Sequence, residues 1–157
     1  MSKNFLTIIF IVFFTTAFTL NQEENTIKWF TNYREVMALA AKTHKPVLIF
    51  FHGSDWCPPC IKMQKEVFMA DSFVQSVSQK ILFLDVDFPY KKPLSEKQLK
   101  HNMEVKKKFG LPGEYKEGFP QVVIINADGK VLHQEKGYNG GGPAYLMNLI
   151  NDVLKEQ

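Results

Sequence analysis

The chain has 157 residues, of which 45% are hydrophobic and 22% are charged, and its formal net charge is +3. This length and balance are typical of one globular domain rather than a disordered chain. A domain of this size can bury a hydrophobic core without disulfide cross-links. The weak net charge and the single arginine, Arg34, argue against nucleic acid as a partner, because arginine is the usual reader of bases and phosphates.

The first 20 residues have the order of a secretory signal peptide. Lys3 supplies a basic start, residues 5–14 form an apolar run, and Ala17 is a small residue suited to a cleavage site. The alternative is an uncleaved membrane anchor, although this stretch is shorter than the roughly 20 residues that a spanning helix needs. The sequence therefore predicts export to the periplasm, with 21–157 as the mature domain and membrane contact only through a retained N-terminus.

The hydrophobic pattern predicts alternating helices and strands from residue 27 onward. A first amphipathic helix is predicted from an apolar stripe with helical spacing, which comprises Trp29, Phe30, Tyr33, Val36, Met37 and Ala40. Continuous apolar runs predict buried strands at 46–52 and 81–86, with a helix at about 58–69 between them. Asp71 is predicted to cap a further short helix.

The helices of the second half carry recognisable start signals. Ser95 and Gln98 form a capping-box pattern ahead of a helix that runs to about Phe109. Lysines between positions 91 and 108 make this region basic, which is typical of a solvated helix face but would also suit the steering of acidic partners. A loop is predicted at 111–118, and Pro143 opens a last helix.

A hairpin is predicted near the end of the chain. Strands at 121–126 and 130–135 flank Asp128-Gly129, a strong turn signal. Parallel strands joined by a crossover helix and followed by a hairpin indicate an α/β fold. We expect a central mixed β-sheet with helices on both faces.

The most informative segment is GSDWCPPC at residues 53–60. A buried strand is predicted to end there and a helix to begin, so Cys57 meets unpaired backbone N–H groups and the positive end of a helix dipole. Both favour the thiolate, which is the reactive form of cysteine. Cys60 lies one turn into the helix, within reach of Cys57 but shielded from solvent. The pattern predicts that Cys57 attacks a substrate disulfide and that Cys60 resolves the mixed disulfide.

Other uses of the cysteine pair fit the sequence less well. A structural disulfide that closes so short a loop would restrict the unfolded chain little. A zinc site needs four ligands, and the four histidines are scattered without ligand spacing. Haem attachment needs a histidine after the second cysteine, where this chain has Ile61. No cofactor is therefore predicted, although a Cu(I) chaperone that uses the dithiol as a soft ligand pair stays open as an alternative.

The cysteine motif carries a resemblance to a known family. Trp56-Cys57-Pro58-Pro59-Cys60 resembles the active-site motif of thioredoxin-like proteins, and the run FFHGSDWCPPCIKMQKEVF is similar to exported Dsb-type periplasmic reductases of the DsbH-like kind. The resemblance covers roughly residues 28–157. It implies a thioredoxin-like fold and a thiol–disulfide oxidoreductase that acts on exported proteins with disulfides or dithiols. An upstream thiol electron donor is implied as well, and a monomer is expected.

The resemblance also implies a second part of the site. In the family, a loop that ends in a cis-proline faces the cysteine pair just before the first hairpin strand, and Phe119-Pro120 matches that place. The residue before this proline, here Phe119, offers its backbone to an extended substrate. An ordinary trans proline at a strand start is the alternative. Trp56 is expected at the rim of the site, with a plain core tryptophan as its alternative.

Two questions stay open from the sequence. Many thioredoxins carry a buried acidic residue six positions before the first cysteine, where this chain has Phe51, so the group that takes the proton of Cys60 is undetermined and His52 is one candidate. The second question is the redox direction. Pro58 and Pro59 bring neither charge nor N–H donors to the Cys57 thiolate, which favours a reductase over a disulfide oxidase or isomerase.

Overall fold

A mixed β-sheet forms the centre of the molecule. The computed structural model describes residues 26–110 and 118–156. Its strands are β1 (Trp29–Phe30), β2 (Val47–His52), β3 (Leu82–Asp87), β4 (Gln121–Ile125) and β5 (Val131–Lys136). They are ordered β1-β3-β2-β4-β5 across the sheet. β1 and β2 run parallel to β3, whereas β4 runs antiparallel to both β2 and β5. The predicted signal peptide and almost all of the predicted loop at 111–118 lie outside the described residues.

Helices cover both faces of this sheet. They are α1 (Tyr33–Thr43), α2 (Pro58–Met63), α3 (Asp71–Val77), α4 (Glu96–Phe109) and α5 (Gly142–Lys155), and a π-helical turn (Gln64–Phe68) continues α2. One hydrophobic core joins the sheet to α1 and α4, and the other joins it to α3 and α5. The predicted α/β class is confirmed. Within the described part of the chain, no helix is both long and apolar enough to cross a membrane.

The first helix begins later than the hydrophobic pattern predicted. Trp29 and Phe30 belong to β1, which pairs with β3, so their assignment to the helix was wrong. The helix begins after Asn32, whose side-chain oxygen accepts two backbone N–H groups of the first turn at 2.9 and 3.3 Å. The apolar residues of a two-residue edge strand extend the helical stripe by coincidence, and Asn32 is the capping signal that marks the true boundary.

Of two further capping predictions, that for Asp71 was wrong and that for Ser95 and Gln98 was right only in part. Asp71 is the first residue of α3 and Ala70 precedes it as the cap residue, with no side-chain hydrogen bond. Ser95 accepts the N–H of Gln98 at 3.2 Å as predicted. The amide of Gln98, however, donates to the carbonyl of Thr31 at 3.0 Å, a contact from a distant part of the chain. The four predicted strands agree with β2 to β5 to within one residue at each end.

The sheet register brings two distant segments to one edge. β2 and β3 are parallel, so both strands end at the edge where the chain turns towards α2. β4 is antiparallel to β2, and Phe51 lies opposite Gln121. The beginning of β4 therefore adjoins the end of β2. This register places the segment before Gln121 beside the segment that follows His52.

Candidate active site

The two cysteines lie at the start of α2. Cys57 is the residue that caps the helix and Cys60 lies in its first turn. A disulfide joins them, with their Cα atoms 5.3 Å apart. In this oxidised form Cys57 is 3% exposed and Cys60 is 1% exposed. The two cysteines are therefore almost equally buried. What distinguishes Cys57 from Cys60 is its position at the start of the helix.

Two prolines shape the electrostatics of the helix start. The N–H of Cys57 donates to the carbonyl of Gly53 at 3.1 Å, and the carbonyl of Cys57 accepts the first helical bond from Ile61 at 3.0 Å. Pro58 and Pro59 occupy the first two helical positions, where the fixed φ of proline suits a helix. Neither residue has a backbone N–H. Of the first three helical positions, only that of Cys60 therefore offers an N–H to an anion at the helix start.

Trp56 lies against the turn that precedes the cysteines. A Cβ added at Gly53 would overlap the indole ring of Trp56, so only glycine fits there without displacing the ring. The indole N–H donates to the carbonyl of Phe88 at 2.7 Å. The ring centroid is 5.1 Å from that of Tyr90 and 6.2 Å from that of Phe119. Trp56 is thus half-buried at the border of the disulfide, between aromatic neighbours from two other segments.

We expect Gly53→Ala to displace this indole. Overpacking at a close contact of this kind typically lowers the free energy of unfolding by about 1–3 kcal/mol. The Trp56 indole N–H should lose protection from hydrogen exchange in an NMR experiment, because its bond to Phe88 breaks. The matched control is Gly53→Ala in a Trp56→Ala background, where the added methyl meets no ring. An equal loss of stability in both backgrounds would contradict this explanation of the glycine.

The Phe119-Pro120 segment forms the second part of the site. The peptide bond between these residues is cis, in agreement with the geometry that the family resemblance implied. Phe119 is buried in the same hydrophobic core as Cys57 and Cys60. The carbonyl of Pro120 accepts the N–H of Gly137 at 2.7 Å. The start of β4 is thereby fixed between the cysteine segment and the end of β5.

Phe51 stands where many thioredoxins have a buried acidic residue, and its surroundings are apolar. Phe51 packs in the same core as both cysteines. The next residue, His52, points to the opposite face of the sheet, where its ring stacks on Phe50 with 4.3 Å between centroids. Its Nε2 is 2.5 Å from Oδ1 of Asp85. His52 is therefore engaged on the face away from the cysteines, which argues against it as the proton acceptor for Cys60.

An aspartate on β3 fixes the turn that precedes the cysteines. Asp87 accepts the backbone N–H of Ser54 at 2.8 Å and its hydroxyl at 2.6 Å, one with each carboxylate oxygen. The carbonyl of Asp87 accepts the side-chain amide of Asn102 at 2.8 Å. This role of Asp87 could not be predicted from the sequence, because Asp87 lies 33 residues from Ser54 and only the strand pairing brings them together.

Asp55 fixes a second loop against the same turn. Its carboxylate accepts the backbone N–H groups of Tyr90 at 2.9 Å and Lys91 at 2.6 Å. The hydrogen bond from Tyr90 contributes most to holding the pKa of Asp55 below its usual 3.8. The loop after β3 therefore lies beside Trp56. This contact could not be predicted from the sequence either, since Tyr90 and Lys91 lie 35 and 36 residues from Asp55.

Comparison with known proteins identifies the family. Residues 33–153 match the thioredoxin-like domain. The chain belongs to the thioredoxin-like family. It is 36% identical over 129 residues to the disulfide bond reductase DsbH of Chlamydia pneumoniae, which covers 82% of this chain and 74% of DsbH. A solved structure of the DsbH oxidoreductase matches with a TM-score of 0.72 at 34% identity, covering 84% of this chain and 87% of that one.

Two further relatives are more distant. The thioredoxin-related protein DsbJ of Chlamydia pneumoniae is 32% identical over 89 residues, which cover 57% of this chain and only 26% of DsbJ. The solution structure of a thioredoxin from Thermus thermophilus matches with a TM-score of 0.58 at 18% identity, over 82% of this chain and 88% of that one. The latter likeness concerns the fold alone.

The geometry and the family together define the chemistry. The protein is a thioredoxin-like protein disulfide oxidoreductase of the DsbH-like kind, with a Cys57–Cys60 pair, and its homologues imply thiol redox partners. In the described ranges 26–110 and 118–156, no group of three or more His, Cys, Asp or Glu side chains is arranged to hold a metal ion. Phe119 shares the hydrophobic core of the pair, Trp56 packs against that core, and Pro120 follows Phe119 through a cis peptide bond.

Proposed function

We propose that the protein reduces disulfides in exported proteins. The observation that carries the direction is the helix start at Cys57, where two prolines remove N–H donors that would otherwise stabilise a thiolate. A less stabilised thiolate makes the dithiol a better electron donor. The name of the relative DsbH, a disulfide bond reductase, supports the same direction.

The proposed reaction has two steps. The thiolate of Cys57 attacks one sulfur of a substrate disulfide, and the other substrate sulfur leaves as a thiolate that takes a proton. Cys60 then gives up its proton and attacks the sulfur of Cys57, which releases the second substrate thiol. Two electrons pass to the substrate, and the protein is left in the Cys57–Cys60 disulfide form that the structure shows. An upstream thiol donor must reduce this disulfide for the next cycle.

The substrate is proposed to bind across Trp56 and the start of β4. An extended segment would lie along the backbone of Phe119, in the manner of an added strand, because Phe119-Pro120 adjoins the cysteine turn at the sheet edge. Trp56 would cover one side of the scissile disulfide. Its neighbours Tyr90 and Phe119 hold the indole in place through ring contacts.

The compartment is part of the proposal. The order of residues 1–20, which lie outside the described ranges, fits a signal peptide and hence a periplasmic protein. Residues 21–157 would then act as a monomer in an oxidising environment. Membrane contact is proposed only for the case in which the N-terminus is retained.

The direction is tested by two assays on the purified protein. We expect the protein to accelerate the reduction of insulin by a low-molecular-weight thiol, because the regenerated dithiol passes its electrons on. We expect little acceleration of the oxidative refolding of a reduced, disulfide-containing protein. The Cys57→Ser/Cys60→Ser double variant serves as the control in both assays. Rapid oxidative refolding without insulin reduction would show that the protein is an oxidase.

A further inference from the structure

Lysines adjoin two of the segments that border the disulfide. We define the lysine rim as Lys91, Lys92, Lys106 and Lys136. Lys91 and Lys92 are exposed and follow Tyr90, which is 64% exposed and contacts the Trp56 ring at 5.1 Å. The loop that carries them is fixed, since Asp55 binds the backbone N–H groups of Tyr90 and Lys91. This half of the rim is therefore built into the border of the cysteine turn.

The other half of the rim borders the Phe119-Pro120 segment. The ammonium of Lys106 lies 5.8 Å from the ring centroid of Phe119. Burial lowers the pKa of Lys106, which indicates an ammonium that is incompletely hydrated. The aliphatic chain of Lys136 lies 3.0 Å from the place that a Cβ of Gly118 would take. The ammonium of Lys106 and the aliphatic chain of Lys136 thus lie close to the side chain of Phe119 and to Gly118, respectively.

The acidic side chains that border the cysteine turn in the described ranges already bind backbone groups. Both oxygens of Asp55 accept backbone N–H groups, and the charge of Lys91 adds to the lowering of its pKa. Asp87 likewise uses its two oxygens to bind Ser54. The carboxylates next to the cysteine turn therefore serve to fix backbone. Both carboxylates keep their charge, but among the described residues the four lysines of the rim outnumber these two carboxylates.

We propose that the lysine rim selects substrates with acidic residues next to the disulfide. The inference rests on the proposed reductase function and specifies its substrate class. Acidic side chains on an extended segment would meet Lys91 and Lys92 on the Trp56 side and Lys106 and Lys136 on the Phe119 side. Charges that border a site raise association rates and discriminate against partners of like charge. The exposed ring of Tyr90 would add contact area next to the disulfide.

The test uses three synthetic peptides that share one intramolecular disulfide. The residues flanking the cysteines are aspartate in the first, asparagine in the second and lysine in the third. The pre-reduced protein is mixed with each peptide, the reaction is stopped with acid, and the second-order rate constant is obtained by chromatography. At low salt we expect the aspartate peptide to react at least about tenfold faster than the lysine peptide. The difference should shrink strongly near 1 M salt, where the screening length is about 3 Å.

Paired charge-reversal variants locate the effect. Lys91→Glu/Lys92→Glu should lower the ratio of the aspartate to the asparagine rate constant by about tenfold at low salt. The matched control is Lys42→Glu/Lys80→Glu, which makes the same change in net charge. Lys42 lies near the end of α1, and Lys80 lies just before β3, so both are at the edge of the sheet opposite the cysteines. The control should keep the wild-type ratio, and circular dichroism checks that both variants fold.

The outcomes separate the two proposals. Equal rate constants for the three peptides, or equal loss of the ratio in both double variants, would overturn the lysine rim while leaving the reductase function in place. Failure to reduce any of the peptides would overturn the reductase function, and the substrate class would fall with it. A ratio that falls only in Lys91→Glu/Lys92→Glu supports the proposal.

Discussion

Replacing Cys57 with serine is expected to abolish disulfide reduction, whereas replacing Cys60 with serine should yield a protein that accumulates mixed disulfides. The structure places Cys57 at the start of α2 and Cys60 in the first turn. A serine hydroxyl at position 57 cannot replace the thiolate as an attacking group at neutral pH. A serine at position 60 leaves the attack intact but removes the sulfur that releases the product.

The two variants are compared by incubation with a disulfide substrate followed by non-reducing gel electrophoresis. Mass spectrometry then identifies the cysteine in each adduct. Alkylation of the reduced wild type with limiting reagent near pH 7 should likewise label mainly Cys57. The Cys57→Ser/Cys60→Ser variant, which has no thiol, is the control for non-covalent association. Adducts that form with Cys57→Ser but not with Cys60→Ser would reverse the roles assigned to the two residues.

The layers of the fold could be predicted from sequence because hydrophobic patterns report burial directly. β2 is buried at every position, so it appears as a continuous apolar run. β1 could not be predicted in this way. It has two residues, and its identity as a strand depends on pairing with β3, some fifty positions further along the chain. The α2 helix was located correctly, but its change to a π-helical turn at Gln64 carries no signal in the apolar pattern.

The candidate site likewise has one part that could be predicted from the sequence and one part that could not. The cysteine pair and its helix start are encoded in eight consecutive residues, and the resemblance to thioredoxin-like proteins supplied the place of Pro120. The contacts that fix the turn were not predictable, because Asp87 and Tyr90 reach it from the strand β3 and the loop after it. The side of the sheet that His52 faces also required the register of β2. The reactive residues could therefore be predicted from the sequence, whereas the distant contacts that hold them in place could not.

The Cys57–Cys60 couple is expected to have a reduction potential close to that of thioredoxin, about −270 mV, rather than the strong-oxidant value of about −120 mV. These values differ by about 7 kcal/mol, since 30 mV corresponds to about 1.4 kcal/mol. A strongly oxidising couple needs a thiolate with many stabilising donors or nearby positive charge. The first two helical positions hold prolines, and the pair packs in an apolar core with Phe51 and Phe119. Both features limit stabilisation of the thiolate. We expect them to outweigh the opposite effect of the lysine rim, because Lys91, Lys92 and Lys136 are exposed and their charges are screened by solvent and salt.

The potential is measured by equilibrating the protein with glutathione buffers of known ratio and quantifying the free thiols after an acid quench. Pro59→His is the informative variant, because an imidazole in the first turn of α2 adds a donor and, when protonated, a positive charge near Cys57. We expect this variant to be more oxidising than the wild type, whereas Pro59→Ala, which restores only the backbone N–H, should shift less. A wild-type potential above about −180 mV, the range of protein disulfide isomerase, would overturn the reducing direction. The positive charge of the lysine rim would then have to outweigh the apolar surroundings of the pair.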